Sequence, residues 1–257
     1  MWDKSELIPL HNQTWLSNQK VAGKCVASIL KSINNLISQK TPNLNLLDLE
    51  QEAYKQLKEF NCEPTFLGYK GFPSCICISV NKELVHGIPK NYIIKEGDII
   101  KFDLGATFNG AIADAAATAI YGKEKSIFHK EMVETCREAL LNAIKVISVG
   151  KQLGVIGNAI SKTVKKGPFG LITEYGGHGL DVNNPHALPF VPNKSQPNEG
   201  PRFQNGMTIA IEPMFVLGST VETKVDSDGW TVIANDVTSH FEHTIFVEDN
   251  KVLIITE

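Results

Sequence analysis

Residues 98–106 and 111–120 flank Asn109-Gly110, the dipeptide that most strongly selects a two-residue hairpin turn because both positions accept positive φ. This hairpin constrains the fold because it fixes a register. With Asn109 and Gly110 as the loop, Phe108 pairs with Ala111 and Gly105 lies opposite Asp114. Asp103, two residues before Gly105, then shares a face with Asp114 as a diagonal neighbour at roughly 7–8 Å between backbones. A slip of one residue sends the two carboxylates to opposite faces. Asp is depleted in strand interiors, so a pair among apolar neighbours on one hairpin face points to a bound cation.

Three further donors sit in strand-like runs. His178 lies in Gly176-Gly177-His178-Gly179-Leu180, Glu212 in Ile211-Glu212-Pro213-Met214, and Glu242 in Phe241-Glu242-His243-Thr244-Ile245. A carboxylate flanked by apolar residues points inward, where it needs a cation or a hydrogen-bond partner. Four carboxylates and one imidazole suit two hard or borderline divalent ions, whose charge they offset without any Arg or Lys. That arithmetic points to a two-metal hydrolase. Pro213 holds Glu212 extended, and the Ile209-Ala210-Ile211 alternation places it on the face opposite the isoleucines. His243 falls on the other face from Glu242, as a packed or hydrogen-bonded histidine. His86, in the punctuated run Val85-His86-Gly87-Ile88-Pro89, reads equally well, taken alone, as an exposed loop residue.

Helical periodicity covers 14–39, 46–60, 126–148 and 153–166. Strand-like stretches cover 64–80, 171–178, 207–216, 230–235, 240–248 and 251–256, and the Asn- and Pro-rich 182–206 reads as a loop beside the site. No linker interrupts the 257 residues. A net charge of −3 leaves no basic stripe for nucleic acid. No apolar run is long enough to span a membrane, and Met1-Trp2-Asp3-Lys4-Ser5-Glu6 lacks the pattern of a signal peptide. Cys25, Cys62, Cys75, Cys77 and Cys136 are irregularly spaced and odd in number, so free thiols and a cytoplasmic setting are expected. Cys75 and Cys77 are expected on the same face of one strand.

The ordered donors, with their local sequences, resemble the type I methionine aminopeptidases, which are pita-bread metallopeptidases. The likeness runs from Lys20-Val21-Ala22-Gly23 through Leu67-Gly68-Tyr69-Lys70-Gly71-Phe72-Pro73, Cys77-Ile78-Ser79-Val80-Asn81 and Val85-His86-Gly87-Ile88-Pro89. It continues in Glu96-Gly97-Asp98-Ile99, Gly206-Met207-Thr208-Ile209, Asp228-Gly229-Trp230-Thr231 and Glu242-His243-Thr244. The resemblance implies an α/β (α+β) pita-bread fold, with a curved antiparallel sheet, helices on its outer face and a central dinuclear metal site. Residues 1–257 would form one catalytic domain.

By the same resemblance, Asp103, Asp114, His178, Glu212 and Glu242 hold two divalent metal ions (Co, Mn, Fe or Zn), with Asp114 and Glu242 shared between them. A hydroxide bridging the ions would attack the carbonyl of an N-terminal methionine. His86 and His186 would contact substrate and stabilise the oxyanion, while Glu212 carries the proton. Tyr69, Phe72, Cys77 and Trp230 would line the methionine pocket. The implied function is removal of the initiator methionine from polypeptides with a small second residue. Met1-Trp2 of this chain would be a poor substrate. The implied partners are nascent polypeptide N-termini, with ribosome contact left open, no nucleic acid and no membrane; a monomer is expected.

The chain departs from the pattern at several positions. His178 and His186 are eight apart where seven is usual, Ala187-Leu188-Pro189 replaces Glu-Glu-Pro, and Asp181 and Ala113 stand where Gly is usual. They bear on the placement of His186 and on peptide specificity. The rival readings are a prolidase-like aminopeptidase of the same fold and a non-catalytic interaction module, although a module of that kind loses ligands that this chain keeps.

Overall fold

The computed structural model describes residues 8–249 and 251–257, so the Met1–Glu6 segment read for a signal peptide and a substrate start lies outside the described residues. Helices α1 (Gln13–Ser38) and α2 (Leu46–Glu59) precede strands β1 (Glu63–Pro64), β2 (Cys77–Val80), β3 (Glu83–Val85), β4 (Ile99–Phe108) and β5 (Ala111–Ile120). Helices α3 (Ile127–Lys145) and α4 (Val155–Val164) follow. After them come β6 (Phe169–Leu171), β7 (Gly176–Asp181), β8 (Asn184–Pro192), β9 (Thr208–Ile211) and β10 (Met214–Leu217). The chain closes with β11 (Thr223–Val225), β12 (Val232–Ala234), β13 (Thr238–His240), β14 (Glu242–Glu248) and β15 (Lys251–Ile254).

Each expected helix forms, and side chains cap the starts of α1, α2 and α3. Asn12 accepts from the Trp15 N–H at the start of α1, and Asn45 and Asp48 form a reciprocal capping box at α2. Among the described residues, nine strands form one antiparallel sheet in the order β1-β4-β5-β14-β9-β7-β8, with β2 also beside β4 and β15 beside β14. The β4–β5 hairpin has the expected register, Phe108 opposite Ala111 and Gly105 opposite Asp114.

Alternation divides this hairpin by face. Ile100, Phe102, Leu104, Ala113 and Ala115 point outward into a core shared with Ile29, Ile33 and Ile37 of α1. The small alanines of β5 let α1 lie close, and buried Gln19 on that helix donates to Ile112 C=O and Thr208 Oγ1, both at 2.8 Å. On the other half of the sheet, Ile209, Ile211 and Ile245 join a second core with α3 and α4. Both cores cover the outer face, which leaves Asp103, Asp114 and Glu242 on the inner one.

The two halves meet at a short seam. Strands β5 and β14 pair only at Ala116–Glu242 and Ala115–His243. Beyond each end of that pairing, a threonine hydroxyl takes the place of backbone groups. Thr244 Oγ1 donates to Asp114 C=O at 2.7 Å and accepts from Asp114 N–H at 2.8 Å. Thr118 Oγ1 donates to His240 C=O at 2.6 Å and accepts from His240 N–H at 3.0 Å. The backbone groups remain satisfied while the strands splay around the donors.

Several strand boundaries differ from expectation. The 182–206 stretch is not all loop, because β8 forms within it and pairs with β7 through register shifts. Its buried positions are filled largely by prolines, Pro185 and Pro189 with Val191, which masks the alternation. The 64–80 stretch is interrupted by a helical turn at Tyr69–Gly71 and by bends at 74–76. Those bends separate the two cysteines expected on one strand face. Cys75 turns into the α1–α2 core with its thiol toward Glu50 C=O, whereas Cys77 begins β2 in the site. The 207–216 stretch breaks at Glu212-Pro213 into β9 and β10, which belong to different sheets.

Candidate metal centre

Cross-strand register assembles most of the site. Cys77 pairs with Asp103, Asp103 with Ala116, and Ala116 with Glu242, so these four form one row across β2, β4, β5 and β14. Asp114 is two residues from Ala116 and therefore on the same face. Glu212 follows the end of β9 and His178 comes from β7, so all five expected donors line one cavity of about 190 Å³. All five are buried. Glycines permit this at two places in particular: a Cβ on Gly177 would lie 2.1 Å from Ala210 C=O, and one on Gly179 1.8 Å from Leu188 C=O.

The donors are poorly satisfied by the protein alone. Among the described residues, Asp103 Oδ1, Asp114 Oδ1 and Glu242 Oε1 are buried without a hydrogen-bond partner. Burial and the adjacent carboxylates raise Asp103 and Glu242 well above the usual carboxylate range. Burial likewise pushes Asp114 up to about 7, against the pull of His178. Glu212 differs, since burial would raise it but the His240, His178 and His186 rings outweigh burial and hold it below its ordinary value.

His178 supplies the most direct test of cation binding. Its Nδ1 lies 3.2 Å from Gly179 C=O, which can only accept, so Nδ1 carries the proton. With Nδ1 so engaged, the ring turns Nε2 toward Glu212 Oε1 at 3.7 Å and Glu242 Oε1 at 3.9 Å. A divalent ion among these atoms would be held by the imidazole nitrogen and both carboxylate oxygens. Asp114, His178 and Glu242 offer donor atoms within 4.8 Å of one another, as do Glu212, His240 and Glu242. The donor set fits divalent metal.

The expected substrate-side residues line the same cavity. His86 sits in left-handed backbone at φ 58°, held because Ile78 N–H donates to Gly87 C=O at 2.8 Å and Gly87 N–H to Ser79 Oγ at 3.0 Å. Burial holds His86 below its ordinary pKa. His186 lies at the mouth, its ring 4.6 Å from that of His178 and its Nδ1 3.1 Å from the Tyr69 hydroxyl. The surrounding walls and the His178 ring push it down to about 4. The β7–β8 pairing that joins these histidines carries register shifts, and His186 lines the cavity. Phe72 and Trp230 meet edge to face at 5.2 Å, beside Phe66 and Cys77. His243 faces away from the cavity and bonds Thr256 Oγ1 at 2.8 Å.

Sequence reasoning missed His240, Phe66 and Lys101. His240 is buried with Nε2 3.2 Å from Glu212 Oε2, so the two oxygens of Glu212 face His240 and His178 separately. Its position two residues before Glu242 in a strand-like run was the available signal. Lys101 is fully buried on the donor face, opposite Ser79 and Thr118 and one row from Asp103. Burial lowers its pKa to about 7 and its Nζ donates to Asn81 C=O at 2.7 Å. A lysine therefore does lie behind the donor cluster, although the charge reading assumed none.

The sequence matches metallopeptidase family M24 over residues 17–249. The chain belongs to metallopeptidase family M24. It is 40% identical over 261 residues to the methionine aminopeptidase of Aquifex aeolicus (strain VF5), a match spanning 97% of this chain and 99% of that one. The solved methionine aminopeptidase of Thermotoga maritima superposes with a TM-score of 0.92 at 37% identity, covering 98% of this chain and all of its own. The prolidase of Pyrococcus furiosus shares the fold alone, with a TM-score of 0.75 at 18% identity and 65% of its length covered. The pita-bread architecture of family M24 accounts for the sheet with helices on its outer face and the donors on its inner one. Among the described residues, no helix is long and apolar enough to cross a membrane.

Proposed function

We propose that residues 1–257 form a single catalytic unit that removes the N-terminal methionine from polypeptides with a small second residue. One observation carries this reading: a single cavity joins the five-donor cluster to an aromatic and apolar pocket. The M24 relatives named methionine aminopeptidase at matching length support it.

In this proposal Asp103, Asp114, His178, Glu212 and Glu242 hold two divalent ions, and a mixed oxygen and nitrogen set accepts cobalt, manganese, iron or zinc. Ions bound there supply Lewis-acid polarisation of the scissile carbonyl and activation of water near neutral pH. The residues do the rest. Glu212, held below its ordinary pKa, is a carboxylate at neutral pH and can take a proton from water and pass it to the leaving amine. His86 and His186 are neutral at that pH, so each offers one N–H to the developing oxyanion without a fixed charge. Phe66, Phe72 and Trp230 surround the thioether, which gains roughly 0.3–1.5 kcal/mol per sulfur–ring contact. Cys77 stays a protonated thiol, because burial and the neighbouring carboxylates raise it well above the ordinary range. Tyr69 orients His186 through its hydroxyl. The enzyme acts as a monomer in the cytoplasm, on the N-termini of new polypeptides.

Hydrolysis of Met-Ala-Ser and Ala-Pro-Ala, each with added manganese or cobalt, tests this reading. Methionine release from the first peptide alone is the expected result. Cleavage of the second alone supports the prolidase-like reading, and cleavage of neither the non-catalytic one.

A further inference from the structure

We propose that the face of β8 beyond His186 is a subsite on the leaving side of the scissile bond, selecting an apolar side chain at the third residue of the substrate. The inference rests on the aminopeptidase reading above. Past the donor cluster the trough opens into a second cavity of about 350 Å³. The two cavities share His86, His178, His186 and Glu212, so the donors stand between them. The aromatic pocket takes the methionine side, which leaves the second cavity to the rest of the polypeptide.

Its walls are built for apolar contact. Along β8, His186, Leu188 and Phe190 stand outward while Pro185, Pro189 and Val191 turn in, so the catalytic-side histidine and two large apolar side chains share one edge. Leu188 is 38% exposed and Phe190 45%, both at the lining of this cavity. Opposite them, Tyr175 packs on an apolar cluster that includes Met214, which fixes that wall. Among the described residues, the one charged side chain in the lining outside the donor cluster and its histidines is Glu174, and its carboxylate already accepts from the Thr223 hydroxyl.

Extended chains advance about 3.3 Å per residue, so a substrate with its second residue at the histidines brings its third onto Leu188 and Phe190. An apolar side chain there leaves water for this shelf. A carboxylate there loses hydration and approaches Glu174.

The test is a series Met-Ala-Xaa-Ser with Xaa as Leu, Phe, Ser or Asp, using metal-loaded enzyme, wild type and Leu188→Lys. In the wild type, kcat/KM for Leu and Phe is expected to exceed that for Asp by about tenfold. In Leu188→Lys the Leu-to-Asp ratio is expected to fall to about one or below. Methionine release at rates independent of Xaa overturns the subsite and leaves the aminopeptidase reading standing. A wild-type preference that survives Leu188→Lys unaltered overturns it too, because selection then resides elsewhere. No release from any peptide overturns both readings.

Discussion

Asp114→Asn is expected to stabilise the metal-free protein at neutral pH while weakening its hold on metal. Without an ion, Asp114 is a buried acid whose pKa is pushed from 3.8 up to about 7, mainly by burial. Between those values the folded state binds a proton that the unfolded chain releases, so this residue's contribution to stability falls as pH rises. Three units at 1.36 kcal/mol each amount to about 4 kcal/mol lost between pH 4 and pH 7. For a chain of this size that corresponds to a Tm change of roughly 8–16 °C. Asn cannot titrate, and its backbone keeps both bonds to Thr244.

His186 and His243, each held at about 4, pull in the opposite sense below pH 6.5, because the unfolded chain binds protons that these buried rings refuse. The diagnostic is therefore the difference between variant and wild type, in which the histidine contributions cancel. Urea unfolding in chelator at pH 4 and pH 7 measures it. Asp114→Asn is expected to gain on wild type by about 4 kcal/mol between the two, and manganese is expected to reverse the order at pH 7. An Asp114→Asn effect that is the same at both pH values, or unaltered by metal, would refute the view that this carboxylate is strained without a cation.

Three other outcomes follow from the same geometry. His178→Ala is expected to abolish methionine release with the circular dichroism spectrum unchanged, and to lower the bound cobalt per chain as measured by elemental analysis. His240→Leu is expected to weaken manganese binding about 10–100-fold in calorimetry, because Glu212 Oε2 loses the ring that orients it, whereas His240→Gln retains a donor and most of the affinity. Thr244→Val is expected to cost about 2–5 kcal/mol in urea unfolding, since it strips both the N–H and the C=O of Asp114 of their partner, and Thr244→Ser to cost far less.

The parts of this molecule legible in its sequence are those where a local rule forces the outcome. Asn109-Gly110 fixed the hairpin register because few dipeptides tolerate two positive φ angles, and the observed values are 48° and 78°. From that register alone Asp103 and Asp114 had to share a face. Helices α1 to α4 were legible from apolar spacing, with ends within about three residues. Strand β8 was not, because prolines fill the inward positions where apolar residues are expected and its pairing is broken by bulges. Cys75 was placed wrongly because alternation was extended through residues 74–76, where the backbone bends.

The site was legible in the same selective way. A carboxylate among apolar residues demands an explanation, so Asp103, Asp114, Glu212 and Glu242 drew attention at once. His240 did not, because a histidine next to Phe241 and Glu242 is unremarkable until β13 and β14 bring its ring onto Glu212. Thr118 and Thr244 were less visible still. Threonine is at home in any strand, and nothing in composition marks one whose hydroxyl replaces a backbone donor and acceptor on a strand far away in sequence. Yet those hydroxyls let the two halves of the sheet part at the donor cluster with the backbone N–H and C=O of Asp114 and His240 still paired. Charges that must be neutralised announce a site in sequence, whereas neutral groups that hold it open are found only once the strands are in place.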